Sequence, residues 1–498
     1  MYDKLRTYVE KFNAGDEEVY KQDIDNEHAL EWMSENVPLL ECPDPVIEEI
    51  YYFRWWTFRK HIKTVPGGHV ITEFLPPVFW AGPYNSINCA NGFHIREGRW
   101  LRNSQNIIED TIRFWLTGKG NAVSYSSWLC WAVWEYCQAT GKFEFGISLL
   151  DEMINHFQKW NDHLTECGLY WSIDDRDAME FSISGSGYRP TLNSYMYGNA
   201  IAIARFAELA GKKKLSDQYY ETAEKIKSLV LEKMWNKEFF QVIPAEIDID
   251  NKNFIKCDTM DFNEIASEHN VKEQIGYIPW YFELPDVGYE AAFSYLCDKN
   301  HFLGKKGLYT ADREHPRFNY EVDHECLWNG PCWPYATTQT LVALSNLLND
   351  YTQNNIEEKK RLSTEDYFYL FKQYADCHYR IDESGNKIPW IDEVLDGDTG
   401  EWISREILKN NGWKKEQGGY ERGKDYNHSM FCDLLITGLL GFMPNEKGEP
   451  VLKPKFPDSW KYFRLEKLPY QGKIYCIQYD KDGTKYGNGK GIQLIKED

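Results

Sequence analysis

The chain is 498 residues long and 42% hydrophobic, enough to bury one large core or two ordinary ones and too apolar for disorder. Its formal net charge of −21 excludes the cationic footprint that nucleic acid or an anionic membrane surface needs, and leaves a neutral substrate as the natural partner. Aromatic residues make up 16%, with 19 Trp and 33 Tyr, more than packing alone requires; their flat faces and polar edges suit sugars.

The first residues, MYDKLRTYVEKFNAGDEEVYKQD, lack the basic start and apolar run of a secretory signal, and no apolar stretch approaches membrane-spanning length. The twelve cysteines are scattered without a CxxC pair, which predicts reduced thiols in a cytoplasmic protein. Residues 1–42 read as an N-terminal helical arm. From Pro43 the pattern PDPVIEEIYYFRWWTFRKHI is helical, with Pro near its start. The following stretch, EFLPPVFWAGPYNSINCANGFHIREGRWL, is too long and aromatic for a plain connector, and reads as a loop forming cleft wall. Trp80, Tyr84, Asn85, His94 and Arg99 are its candidates.

Helices are expected over 106–115, 125–140, 142–163, 189–210 and 214–234. Residues 236–262 read as an irregular acidic insertion whose spacing does not match a calcium loop. Helices then resume over 275–282, 287–297, 334–351, 364–379 and 426–440, with a loop over 388–402. About a dozen helices in antiparallel pairs predict a mainly α fold, an (α/α)6 toroid of six hairpins over residues 43–443. The β-rich runs KIYCIQYD and GIQLI, punctuated by DG and NG turns, predict a small antiparallel β appendage over 444–498.

The stretch Gly168–Ala204 concentrates chemistry. Asp174, Asp175, Asp177, Glu180 and Arg176 lie within seven residues, beside Trp171 and Met179. Carboxylates crowded this way have raised pKa values, which suits a general acid. Glycoside hydrolysis needs a second carboxyl group on the other face of the sugar, and the best candidate is Glu393 in PWIDEVLDGDTGEW, between Trp390 and Trp402. In HECLWNGPCWPYATTQ, Trp328, Asn329 and Trp333 are candidates to face a sugar ring. Trp128, Trp171, Asp175, Arg176, Tyr188, Arg189, Asn193, Trp390, His324 and His428 complete the substrate-wall candidates. No HExxH or Cys/His ligand spacing is present, so no metal or other cofactor is expected.

At three places the sequence resembles the (α/α)6-barrel glycosidases grouped around glycoside hydrolase family 63, which include processing α-glucosidases and mannosylglycerate hydrolases, with trehalases as further cousins. Ala178-Met179-Glu180-Phe181-Ser182 is similar to the group's Gly-Met-Asp-Asn-Ser motif, which carries the general acid, and Leu192-Asn193-Ser194-Tyr195-Met196-Tyr197 to the helix-opening segment after it. Trp328-Asn329-Gly330-Pro331-Cys332-Trp333 resembles Trp-Arg-Gly-Pro-x-Trp, and Glu393 to Gly400 resembles the base motif Glu-x-Tyr-x-Pro-x-Thr-Gly. The resemblance implies inverting hydrolysis, with Glu393 as base and Glu180 or Asp177 as acid. Departures at Glu180 (Asp in the family), Asn329 (Arg), Val394 (Tyr) and Gly397 (Pro) concern the sugar more than the reaction. Two alternatives stay open: a non-catalytic carbohydrate-binding barrel, and a sugar epimerase or lyase using His324 and His428.

Overall fold

The computed structural model describes residues 1–412, 418–419 and 421–497. The fold is mainly α, with small antiparallel sheets. The helix Pro45–Lys60 starts where the Asp44 carboxylate accepts the backbone N–H groups of Val46 and Ile47 ahead of a first-turn Pro. Thr364–Cys377 opens on a reciprocal capping box between Ser363 and Asp366.

Two kinds of helix alternate along the chain. Asn91–Gly98, Leu129–Thr140, Pro190–Leu209 and Pro334–Asp350 are buried on almost every side. Gln105–Leu116, Leu150–Gln158, Lys213–Lys233 and Thr364–Cys377 bury one stripe and expose the other, as amphipathic surface helices do. Pro45–Lys60 is buried along most of its length because the N-terminal helix Tyr2–Ala14 covers its outer face. It also packs against Thr364–Cys377, so elements from opposite ends of the helical region meet.

Several expected elements differ. The stretch 142–163 divides into Phe143–Ser148, Leu150–Gln158 and a 3-10 turn, Lys159–His163. The regions 275–282 and 287–297 hold only short turns, Gln274–Tyr277 with Ile278–Tyr281, and Glu290–Tyr295. The expected long loop after residue 72 contains the helix Asn91–Gly98, and the insertion 236–262 folds a hairpin from Glu246–Asp248 and Asn253–Lys256. Ile403–Asn410 is a helix that the periodicity did not announce.

The expected helix 426–440 forms only from Cys432, with a π turn at Leu434–Leu439. Its first residues are drawn into other bonds: Asn427 N donates to Glu73 O, and His94 Nε2 lies 2.6 Å from Asn427 O. At the C-terminus, Tyr462–Tyr470, Lys473–Asp480 and Gly491–Glu497 form an antiparallel sheet. Leu39–Glu41 adds an edge strand in the register Leu40 to Leu465, so the N-terminal arm and the C-terminal segment share one sheet. Among the described residues no helix is long and apolar enough to cross a membrane.

Candidate active site

Segments leading into the N-termini of the buried helices converge on one cavity of about 380 Å³. Cys89 precedes Asn91–Gly98, Tyr125 precedes Leu129–Thr140, Asp175 to Glu180 precede Pro190–Leu209, and Trp328 and Trp333 precede Pro334–Asp350. Glu393, Arg422, Tyr426 and His428 close the ring of lining residues, with Phe74, Phe79 and Trp80 at one side.

Glu180 sits between Ala178 and Phe181, whose φ angles are +58° and +63°. Left-handed backbone on both sides of an acid is costly for residues with a Cβ, and is held only by surrounding contacts. Those contacts are present: Trp328 N donates to Glu180 O at 3.1 Å, and the Tyr320 hydroxyl donates to Phe181 O. Beneath the loop, the buried Asp177 accepts from Ser126, Thr191 and, at 2.8 Å, Arg189 Nε. Burial, with Asp175, Glu393 and Asp174 as neighbouring like charges, pushes the Glu180 carboxyl up to about 8.

Glu393 is fixed from three directions. Its backbone N–H donates to Asp392 Oδ1 at 2.8 Å. Two residues on, Leu395 pairs with Cys332 in both directions, tying this loop to the one that carries Trp333. Its carboxylate faces Arg422 Nη2 at 3.2 and 3.3 Å, and the other guanidinium nitrogen of Arg422 reaches Glu325 at 3.0 Å. Burial raises the Glu393 pKa, and Arg422 works against that rise, favouring the charged form. Asp392, buried beside Glu393, is pushed up to about 7.

A third carboxyl group, Glu73, shares the cavity. It accepts the Tyr426 hydroxyl, lies 3.3 Å from the Cys89 thiol, and burial pushes it up to about 7. His428 is held neutral by burial. Neither of its ring nitrogens, nor Trp328 Nε1, has a hydrogen-bond partner among the described residues, though all three are buried in residues that line the cavity. Sugar hydroxyl groups, which both donate and accept, suit such a set. Trp328 and Trp333 stack on each other with centroids 4.6 Å apart.

Of the residues singled out from sequence, Glu180, Glu393, Trp80, Asp175, Arg176, Trp328, Trp333, His324 and His428 line this cavity. The others are outside its lining. Asp177 and Arg189 pair with each other inside the wall. Asn85 donates to Phe74 O and Pro76 O and accepts from Val78 N, shaping the loop that presents Trp80; Tyr84 packs its ring against Phe114. Trp128 is core, in ring contact with Phe93, Tyr195 and Tyr281. Trp171 stacks on His163, Tyr188 donates its hydroxyl to Thr165, and Asn193 bonds both backbone groups of Tyr170. Asn329 donates to Tyr320 O, Trp390 lies under Arg380, and Arg99 pairs with Asp433. Glu73, Arg422, Tyr426 and Cys326 were not anticipated.

Residues 83–429 match the family model of the Mannosylglycerate hydrolase MGH1-like glycoside hydrolase domain, a span that includes Glu180 and Glu393. A solved structure named "Sialidase" is 36% identical, with a TM-score of 0.86; the match covers 99% of this chain and 43% of that one. The chain therefore spans less than half the length of that protein. An uncharacterised conserved protein from Thermus thermophilus is 10% identical with a TM-score of 0.50, covering 77% of this chain and 98% of that one. An α-L-rhamnosidase from Streptomyces avermitilis, complexed with L-rhamnose, is 13% identical with a TM-score of 0.49, covering 89% of this chain and 36% of that one.

Proposed function

Because the chain belongs to the Mannosylglycerate hydrolase MGH1-like glycoside hydrolase domain family, we propose that it hydrolyses a glycosidic bond by a one-step inverting mechanism with two carboxyl groups. The observation that carries this reading is the pairing, in one cavity, of a carboxyl raised to about 8 at Glu180 with a second at Glu393 beside the Arg422 guanidinium. At neutral pH Glu180 holds its proton and serves as general acid toward the leaving oxygen. Glu393, whose charged form Arg422 favours, removes a proton from the attacking water. Asp177, committed to Arg189, Ser126 and Thr191 inside the wall, holds the acid loop in place.

The scaffold in this proposal is an (α/α)6 toroid over residues 43–443, flanked by the arm 1–42 and the β-rich segment 444–498. The order of elements along the chain supports it, read as six consecutive pairs. Pro45–Lys60 goes with Asn91–Gly98, Gln105–Leu116 with Leu129–Thr140, and Leu150–Gln158 with Pro190–Leu209. Lys213–Lys233 goes with the 274–281 turns, Glu290–Tyr295 with Pro334–Asp350, and Thr364–Cys377 with the helical turn from Cys432.

The substrate is a short glycoside with an uncharged sugar in the cavity. A space of about 380 Å³ lies near the lower end of ligand-sized pockets, which favours a short glycoside. The lining carries five carboxyl groups (Glu73, Asp175, Glu180, Glu325, Glu393) against two guanidinium groups, Arg176 and Arg422. Both guanidinium groups already face carboxylates, so a sialoside or uronide carboxylate would enter an acidic site. The test is a screen of neutral and anionic aryl glycosides and short oligosaccharides for release of a reducing sugar. Cleavage of neutral substrates supports the reading. Exclusive cleavage of sialosides overturns the sugar class, and an unchanged-mass or unsaturated product overturns hydrolysis.

A further inference from the structure

His324, Glu325 and Cys326 are consecutive, line the cavity, and place one nitrogen, oxygen or sulfur ligand atom each within 4.8 Å of one another. His324 Nδ1 accepts the Cys326 backbone N–H at 3.0 Å, which leaves Nε2 for a ligand. Cys326 Sγ is also 4.0 Å from Glu393 Oε2. In a tetrahedral zinc site, with Zn–S about 2.3 Å and Zn–O about 2.0 Å, sulfur and oxygen ligands stand roughly 3.5 Å apart, so Cys326 Sγ and Glu393 Oε2 need to close by only a small movement.

Arg422 is the cation that these groups now share, with Nη2 3.6 Å from Cys326 Sγ and Nη1 3.0 Å from Glu325. For a divalent ion at this cluster, a thiolate with an imidazole favours zinc over magnesium or calcium.

We propose that the cavity carries an inhibitory zinc site, ligated by His324, Glu325 and Cys326 and completed by Glu393. As the sulfur–zinc bond forms, the Cys326 thiol proton passes to solvent. Glu393 turned to the metal no longer serves the attacking water, so zinc and turnover are mutually exclusive. The inhibitory half of this proposal rests on the glycosidase reading; the binding half stands without it.

Cobalt(II) is the spectroscopic probe. Titrating the purified chain is expected to give a thiolate-to-cobalt charge-transfer band that saturates at one ion per chain and is erased by Zn²⁺. The band is expected to vanish in Cys326→Ser and to need at least tenfold more cobalt in His324→Gln, with circular dichroism confirming that both variants are folded. Zinc is expected to inhibit aryl glycoside cleavage, with the half-inhibiting concentration at least tenfold higher in Cys326→Ser, measured against that variant's own metal-free rate. Absence of the band, its survival in Cys326→Ser, or zinc binding without loss of rate would overturn the proposal. A chain that gives the band but cleaves no glycoside loses the glycosidase reading and keeps the metal site.

Discussion

Arg422 Nη2 lies 3.2 and 3.3 Å from the two carboxylate oxygens of Glu393, with both side chains buried at the wall of the cavity. Burial, with Glu325 as a like charge, raises the Glu393 pKa, and this guanidinium is the main influence against that rise. The pair therefore sets the pH at which a base becomes available. Replacing Arg422 by Met removes the opposing charge and raises the Glu393 pKa. The ascending limb of the kcat/KM pH profile is expected to move to higher pH, with activity near neutrality down on the order of 100-fold, within the usual range for general-base catalysis. An unmoved limb would mean that Glu393 does not titrate in the reaction.

Glu180→Gln separates acid catalysis from binding. Loss of the proton donor is expected to cost about 10²–10⁴ in rate on a poor leaving group, and much less on a dinitrophenyl glycoside, whose leaving oxygen needs no proton. The descending limb near pH 8 should disappear with it. Parallel losses on both leaving groups would assign Glu180 to another role.

The same residue makes a stability prediction. Its folded pKa of about 8 lies above the ordinary 4.5, so the native state holds a proton that the unfolded chain releases between those values. Stability contributed by this group is present below about 4.5 and is lost as pH rises toward 8. Gln does not titrate, so the Tm of Glu180→Gln relative to the parent should become more favourable from about pH 5 to pH 8, measured by thermal unfolding.

Asp177 and Arg189 form an ion pair with no side-chain exposure. Asp177→Ala leaves the guanidinium buried without its charge partner, a loss of about 3–5 kcal/mol in comparable cases. Urea unfolding is expected to show that loss. A stable Asp177→Ala chain that is inactive would return Asp177 to the catalytic candidates.

At Gly423, a Cβ would collide with Asp392 Oδ1, the atom that accepts the Glu393 N–H and the Ser404 hydroxyl. Gly423→Ala should therefore lower kcat at least tenfold by shifting Glu393 while leaving KM within about threefold, whereas Ser404→Ala, which removes one hydroxyl, should cost less. Equal effects on kcat and KM in Gly423→Ala would point to general disruption of the pocket.

The loops of Glu180 and Glu393 were legible because each concentrates acids among aromatics in a segment too irregular for scaffold, and Trp328 and Trp333 because they frame a Gly-Pro turn into a helix. Glu73 was hidden at the start of a loop noted for its aromatics, a single acid with no pattern around it. Arg422 was hidden for the opposite reason, in KKEQGGYERGKDYN, where charged residues are so frequent that none stands out. Trp128 and Tyr188 illustrate the converse limit. An aromatic ring on a core helix and one on a sugar platform look alike in sequence, and only the direction of the chain around them separates the two. The helix expected from Tyr426 starts at Cys432 because long-range bonds to Glu73 and His94, residues more than 300 positions away, capture its first turn.

The central claim is direct displacement by water between Glu180 and Glu393. Proton NMR of the first sugar released from a neutral glycoside tests it most directly, recorded before mutarotation. The account predicts the anomer opposite to that of the substrate; appearance of the same anomer would contradict it.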